Sequence, residues 1–534
     1  MKPLLTSDLK VKFLGITPVL RDKTGVLSPQ EIVALSALLT FKGKSIKKLF
    51  KDLKKKGGDL NERIKGILQK SSLRGHASIA TTPSLCLTYE GSKFLDWVLT
   101  GLYFSSSLVS SGRRTDTTEK DIVFPEEIWR NKKAREIYSK ISADNIKLHN
   151  YFLSKGVIKD EVRKILQQGI YGTGIIQLPI ESIIAIKREY MAEKKWMPEE
   201  VGFLIKQIEK KLKELGIGWL YATRLAAPRP AYPYPNVFKN PLKSNIVREL
   251  RKKEAHGTKI ISVDASLTPG LKTKLINVNK LWQKIFSSPT KIKKNWSDIL
   301  SLYQEISRDY NSALSVKILS TVPMGIWTEK KRHRSCHQVI ESLYYCVNRA
   351  SKVFRKFSQD IKKGRISQSL MASIEEVFSV PPSIKNNQEF LKSYLSAALE
   401  SFEGYQKLIR LKIKPHNAVF LIPRGVKTDI LQEYDLYNIL AGYYPIRLCT
   451  TADEEMRRNT LTEVALLKTA FSKKGFDWLN RFLIPKCQMM GFCPEEKNCQ
   501  MILGAVKNYN EKFHQEMKND LKNKFQESLK NLGK

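Results

Sequence analysis

A chain of 534 residues, 42% hydrophobic and 27% charged, holds enough apolar material for two or more packed domains and reads as globular rather than disordered. Its 92 Lys and Arg against 52 Asp and Glu leave a net charge of +40, which calls for an anionic partner, whether nucleic acid, a phosphorylated metabolite or a membrane surface, without choosing among them. Seven cysteines, odd in number and with no apolar leader at Met1, argue against an exported disulfide framework and make the cytoplasm the expected compartment, while no apolar run approaches the roughly 20 residues of a spanning helix.

In chain order, residues 11–17 read as a strand that ends at Pro18. Ser28-Pro29-Gln30-Glu31 has a helix start's hydroxyl cap, first-turn proline and Glu three residues after the cap. A Lys-rich helix over 44–56 stops at Gly57-Gly58, and a third helix runs over 60–72. Leu85, Leu87 and Tyr89 alternate with Cys86, Thr88 and Glu90, which predicts a strand. A helix over 93–103 then leads into Ser105-Ser106-Ser107-Leu108-Val109-Ser110-Ser111-Gly112-Arg113-Arg114. Closely spaced hydroxyls and two arginines make that run a poor helix interior and a candidate phosphate binder, with a serine-rich surface loop as the plainer alternative. Helical character follows over 126–153 and again over 183–215, around an apolar stretch over 165–179.

Four prolines within 228–235 mark an extended connector. Beyond it the order of elements begins again: a helix over 306–314, a strand over 316–322 and a helix over 324–331, matching the elements before Gly101. Further expectations are a helix over 338–356, a strand over 415–422, a helix over 431–441 and a helix from about Asp453. In the tail, Tyr509, Phe513, Met517, Leu521, Phe525 and Leu529 recur every four residues on one helix side. Docking onto the body is its expected role, with RNA binding unsupported. Four segments follow: a first copy (1–225), a connector (226–245), a second copy (246–505) and a basic amphipathic helical tail (506–534).

Arg332-His333-Arg334 is a dense set of donors suited to phosphates, a carboxylate or an electron-rich ring system, although a solvated basic helix end would look the same. Cys487, Cys493 and Cys499 are spaced by six, wider than the usual two-to-four-residue zinc pairs. No metal site is assigned, and the cysteines are taken as structural.

With these residues laid out, the chain resembles flavin-dependent thymidylate synthases, whose signature joins Arg-His-Arg to a Ser-x-Arg-Tyr ending. A Gly-His-x-Ser motif lies upstream of it, and a Leu-Arg segment and an Ala-Gln-x-Glu-Ile-Arg motif lie downstream. The chain matches twice, incompletely each time. In the first half Gly75-His76-Ala77-Ser78 matches the upstream motif, and with Gly101-Leu102-Tyr103 standing in for the triplet, Ser106, Ser111 and Arg113 fall on family positions. Arg163 resembles a further nucleotide-binding arginine. In the second half Arg332-His333-Arg334, Ser342 and Tyr345 match, while His337 and Tyr344 depart from the signature and Tyr310 stands where the upstream His would be. Pro445-Ile446-Arg447 matches the Leu-Arg segment, and Ala452, Glu455 and Arg457 match the last motif.

The resemblance implies an α+β architecture of two tandem copies of the synthase fold, a mixed sheet with long helices. It also implies reductive methylation of dUMP to dTMP, with FAD as cofactor and NADPH and methylenetetrahydrofolate as co-substrates. The family builds its sites between subunits of a tetramer, so a homodimer of tandem chains would replace four subunits, each copy keeping what the other has lost. Ser106, Ser111, Arg113 and Arg163 would bind substrate, His76, Arg332, His333 and Arg334 would hold the flavin, and Arg447 would act at the uracil. The alternatives are a related flavin enzyme that transfers another one-carbon group to a pyrimidine nucleotide, and a non-catalytic nucleic-acid-binding or scaffold descendant.

Overall fold

The computed structural model describes residues 3–22, 25–73, 78–233 and 235–533. The architecture is α+β, with two four-stranded sheets and two short two-stranded ones among the described residues, beside helices of up to 23 residues. Numbering only the strands of the four-stranded sheets, β1 is Lys10–Thr17, β2 Ser84–Ser92, β3 Ser106–Val109 and β4 Tyr171–Pro179; β5 is Lys259–Ala265, β6 Leu314–Pro323, β7 His337–Ile340 and β8 Lys427–Asp435. The first sheet is antiparallel throughout, in the order β1-β2-β4-β3. The second repeats this order as β5-β6-β8-β7.

The repetition extends to detail. A register shift falls within β1 between Phe13 and Gly15, and another within β6 between Lys317 and Ile318. Each second strand runs directly into a seven-residue helix, Lys93–Leu99 after β2 and Met324–Lys330 after β6. In β2 the predicted alternation holds, with Leu85, Leu87 and Tyr89 all buried, because one sheet face packs on the core and the other does not.

Chain contacts divide the molecule into two compact units. The first comprises 1–245, 323–334 and 340–428, and the second 246–322, 335–339 and 429–534, so the first unit takes long helices from both halves of the sequence. Within it, Lys132–Ser154 and Gln388–Arg410 lie together: Asn145 Nδ2 donates to Ser401 Oγ at 3.0 Å and Phe152 meets Phe390 at 5.1 Å between centroids. Gly404 permits that approach, since a Cβ there would sit 2.4 Å from Ile141 Cδ1.

Three predicted elements are corrected. Residues 415–422, read as a strand, form a helical turn, Pro415–Ala418, and a 3-10 turn, Val419–Leu421. A short buried apolar run has no periodicity that separates the two, and Pro415 sits at a first-turn position. Residues 431–441, read as a helix, begin inside β8, which is buried on both faces from Thr428 to Gln432 and so hides its period of two. Asp429 sits inside that strand because Arg251 pairs with it at 3.1 Å and Thr321 Oγ1 donates to it. The helix read over 338–356 starts only at Leu343, its first residues being β7.

In the second unit the tail helix, Glu511–Lys530, buries Phe513 and Met517 against Cys487, Phe492, Cys493, Ile502, Val506 and Tyr509, whereas Phe525 and Leu529 are exposed. Among the described residues no group of three or more His, Cys, Asp or Glu is placed to hold a metal, and no helix is long and apolar enough to cross a membrane.

Met517→Ala should lower the stability of the second unit by about 2–5 kcal/mol in urea unfolding, while Phe525→Ala should change it by less than about 0.5 kcal/mol. A pH dependence is expected in the first unit. Buried Glu200, held by the N–H and hydroxyl of Ser92, has its carboxyl raised by burial to about 7. A raised folded-state value means the contribution is fully present below the ordinary carboxyl range and is lost as pH rises through 7, so thermal melts should fall over that window in the wild type and less in Glu200→Gln.

Candidate functional site

Three of the residues singled out in the sequence, Ser111, Arg163 and Arg332, meet around one cavity of about 70 Å³ inside the first unit. By the measure of roughly 10–15 Å³ per water, it holds a few waters or one phosphate group. Its walls come from four places: the helix Lys93–Leu99, the turn Ser110-Ser111-Gly112, the segment around Arg163 and Lys164, and the helix Met324–Lys330 with Arg332 beyond it; Arg424 completes the lining. Five cations, Lys93, Arg163, Lys164, Arg332 and Arg424, face two carboxylates, Asp96 and Glu329.

Each carboxylate is already engaged. Tyr89 Oη donates to Asp96 Oδ1 at 2.5 Å, and Lys93 Nζ pairs with Asp96 Oδ2 at 3.0 Å. Lys93 also donates to Ser110 O at 2.7 Å and Ser110 Oγ at 2.6 Å, which ties the serine-rich turn to the helix. Burial lowers the Lys93 ammonium, Arg424 and Arg332 add to that, and Asp96 opposes it; the Tyr89 phenol is raised well above its ordinary value by burial and by Asp96. Glu329 pairs with Arg163 Nη2 at 3.1 Å.

Burial orders the basic run. Lys331 is fully enclosed, donates to Trp97 O and to Asp96 O, and lies 4.6 Å from the centre of the Trp327 ring. Its ammonium is lowered well below its ordinary value, first by burial and then by Arg332. Pinned there, the chain carries Arg332 and Arg334 at the surface and His333 half-buried.

Of the sequence candidates, Ser111, Arg163 and Arg332 line the cavity. Arg113 is half-buried beside it and donates from Nε to Asp160 Oδ1 at 2.7 Å. Ser106 is exposed in β3, opposite Gln177. Arg447 belongs to the second unit, half-buried at the end of the turn Tyr444–Arg447, which follows a π-helical turn, Asn438–Gly442. His76 lies outside the described residues.

Sequence reasoning missed Lys93, Asp96 and Arg424. Only Arg424 left a trace, as a lone cation between proline and glycine at the end of the apolar run Ala418-Val419-Phe420-Leu421-Ile422. Its position depends on backbone pairing: Arg424 N donates to Leu166 O at 2.9 Å, Gly425 N to Lys164 O at 2.8 Å, and Gln168 N to Ile422 O at 3.0 Å. Burial and the neighbouring Arg163 push its guanidinium down to about 10.

Fold and cavity together define an α+β protein with a cationic pocket sized for a small anion. Residues 313–471 match the family model described as Thymidylate synthase complementing protein. Flavin-dependent thymidylate synthases of Pyrococcus abyssi and Pyrococcus horikoshii are 29% identical over 128 residues and 34% identical over 127 residues; each alignment covers 23% of this chain and 50% of the relative. The chain thus spans about half the length of the curated relatives it matches. A solved UMP/dUMP methylase, PolB from Streptomyces cacaoi, bound with 5-Br dUMP, aligns over 43% of this chain and 100% of its own at 12% identity and a TM-score of 0.33.

Tyr89→Phe removes a buried donor from Asp96 and should cost the first unit about 1–2 kcal/mol in chemical denaturation; an unchanged midpoint would mean that Lys93 alone satisfies the carboxylate.

Proposed function

We propose that the protein is a flavin-dependent thymidylate synthase, converting dUMP to dTMP with methylenetetrahydrofolate as carbon donor and NADPH as reductant. The observation that carries this reading is the convergence of Ser111 and Arg163, from the first half of the sequence, with Arg332, from the family-matched segment, on one cationic cavity. The repeated strand order supports a tandem origin in which one site draws on both copies.

In this reading Ser111 and Arg163 receive the nucleotide phosphate, where a planar guanidinium suits a dianion. The cofactor would be held by Arg332, His333 and Arg334, at and beyond the edge of the cavity. Two guanidiniums and an imidazole suit an electron-rich ring or a diphosphate. When bound, FAD supplies the hydride chemistry that the side chains lack. Arg447 would act at the uracil, stabilising negative charge on its oxygen. A homodimer of tandem chains would stand in for a tetramer, and sedimentation should then report twice the chain mass, a monomeric mass counting against it.

A visible spectrum of the purified protein tests the reading. The expected result is a yellow protein whose flavin is bleached by NADPH and recovers on adding dUMP and methylenetetrahydrofolate; a colourless protein that takes up no FAD overturns it. Arg163→Ala and Arg334→Ala should each lower kcat/KM by about 100-fold or more, on the scale of losing one preorganised charged donor.

A further inference from the structure

We propose that Arg424 is the anion anchor of the cavity, gripping a phosphate monoester dianion together with Arg163 and the Ser111-Gly112 turn while Arg113 is held by Asp160. The proposal deepens the nucleotide reading and rests on it only for the nucleoside that the phosphate carries.

Arg424 is 8% exposed, and its Nε and Nη2 have no hydrogen-bond partner among the described residues. A buried guanidinium with two unused donors is costly, by roughly 1–3 kcal/mol or more for a charged group, unless something accepts from it. The two carboxylates that line the cavity are engaged elsewhere: Asp96 by Tyr89 and Lys93, and Glu329 by Arg163. The largest charged influence on it is a second cation, Arg163, and two guanidiniums lining one cavity are stabilised most simply by a dianion between them.

The opposite wall fits the same ligand. A Cβ on Gly112 would lie 2.9 Å from Arg424 Nη1, so glycine lets the guanidinium come close to the backbone turn. The backbone that carries the arginine is fixed, because its own N–H and that of Gly425 are bonded to Leu166 O and Lys164 O. A fork of donors on a fixed backbone at the end of a cavity with room for one tetrahedral group is the geometry that phosphate recognition requires.

The test is calorimetric titration of the full chain, in phosphate-free and sulfate-free buffer, with dUMP, deoxyuridine and inorganic phosphate. Arg424→Gln should weaken dUMP and inorganic phosphate by about 100-fold, and Arg424→Lys should fall between. Deoxyuridine, lacking the phosphate, should bind wild type and Arg424→Gln alike. Equal phosphate affinity in wild type and a folded Arg424→Gln overturns the anchor, as does a wild type that binds neither anion. If inorganic phosphate binds through Arg424 but dUMP does not bind at all, the nucleotide reading fails and the anchor stands. Should Arg424→Gln fail to fold, Arg424→Lys, which keeps the charge but not the fork, must still weaken both anions, and equal affinity there overturns the anchor.

Discussion

The backbone pairing of Lys164–Gly169 with Phe420–Gly425 is the constraint on which the candidate site depends. Gly169 N donates to Phe420 O at 2.7 Å, and Gln167 and Pro423 form an antiparallel bridge. Two segments about 250 residues apart in sequence are thereby locked at fixed register, and backbone donors and acceptors buried together leave no cheaper arrangement. Their flanking side chains, Arg163 and Arg424, are forced into proximity that like charges would not choose.

Around that crossing the chain uses close contacts rather than many ion pairs. Gly404 lets the two 23-residue helices approach, and Phe94 sits against Trp97, Phe238 and Phe420 with centroids 5.1, 5.2 and 4.7 Å away. Such aromatic packing is rigid at core density, so the short helix Lys93–Leu99 presents Lys93 and Asp96 to the cavity without freedom to turn. Buried Lys331 does the same for the basic triplet, trading its hydration for two carbonyls and the face of Trp327. The site is thus a cluster of cations in which Lys93 and Arg163 keep carboxylate partners while packing leaves Arg424 Nε and Nη2 without one among the described residues, which is how a protein stores affinity for an anion.

Much of this was legible beforehand, and the failures have physical causes. The capping box at Ser28 forms, with Glu31 N donating to Ser28 Oγ at 3.3 Å and Ser28 N to Glu31 Oε2 at 2.7 Å, because cap chemistry is local. The alternation in β2 and the four-residue period of the tail are local too, and both elements form where their patterns place them. Pro415–Leu421 and β8 were misread because segments buried on all sides lose the polar residues that mark their period. Ser111, Arg163 and Arg332 carried motif signals, whereas Lys93 and Asp96 look in sequence like any helix start.

By itself the sequence determined the duplicated order of elements, the basic triplet and the serine-rich run, since each is written in local spacing and residue type, while the α+β class came from the resemblance those motifs carry. Only the tertiary structure decided that Arg113 pairs with Asp160, that Ser106 is exposed in a strand, and that an unremarked arginine at 424 stands beside Arg163. The reason is that a side chain's partner is set by the register of backbone segments distant in sequence. Register of that kind is a property of the folded chain, with no local pattern to announce it.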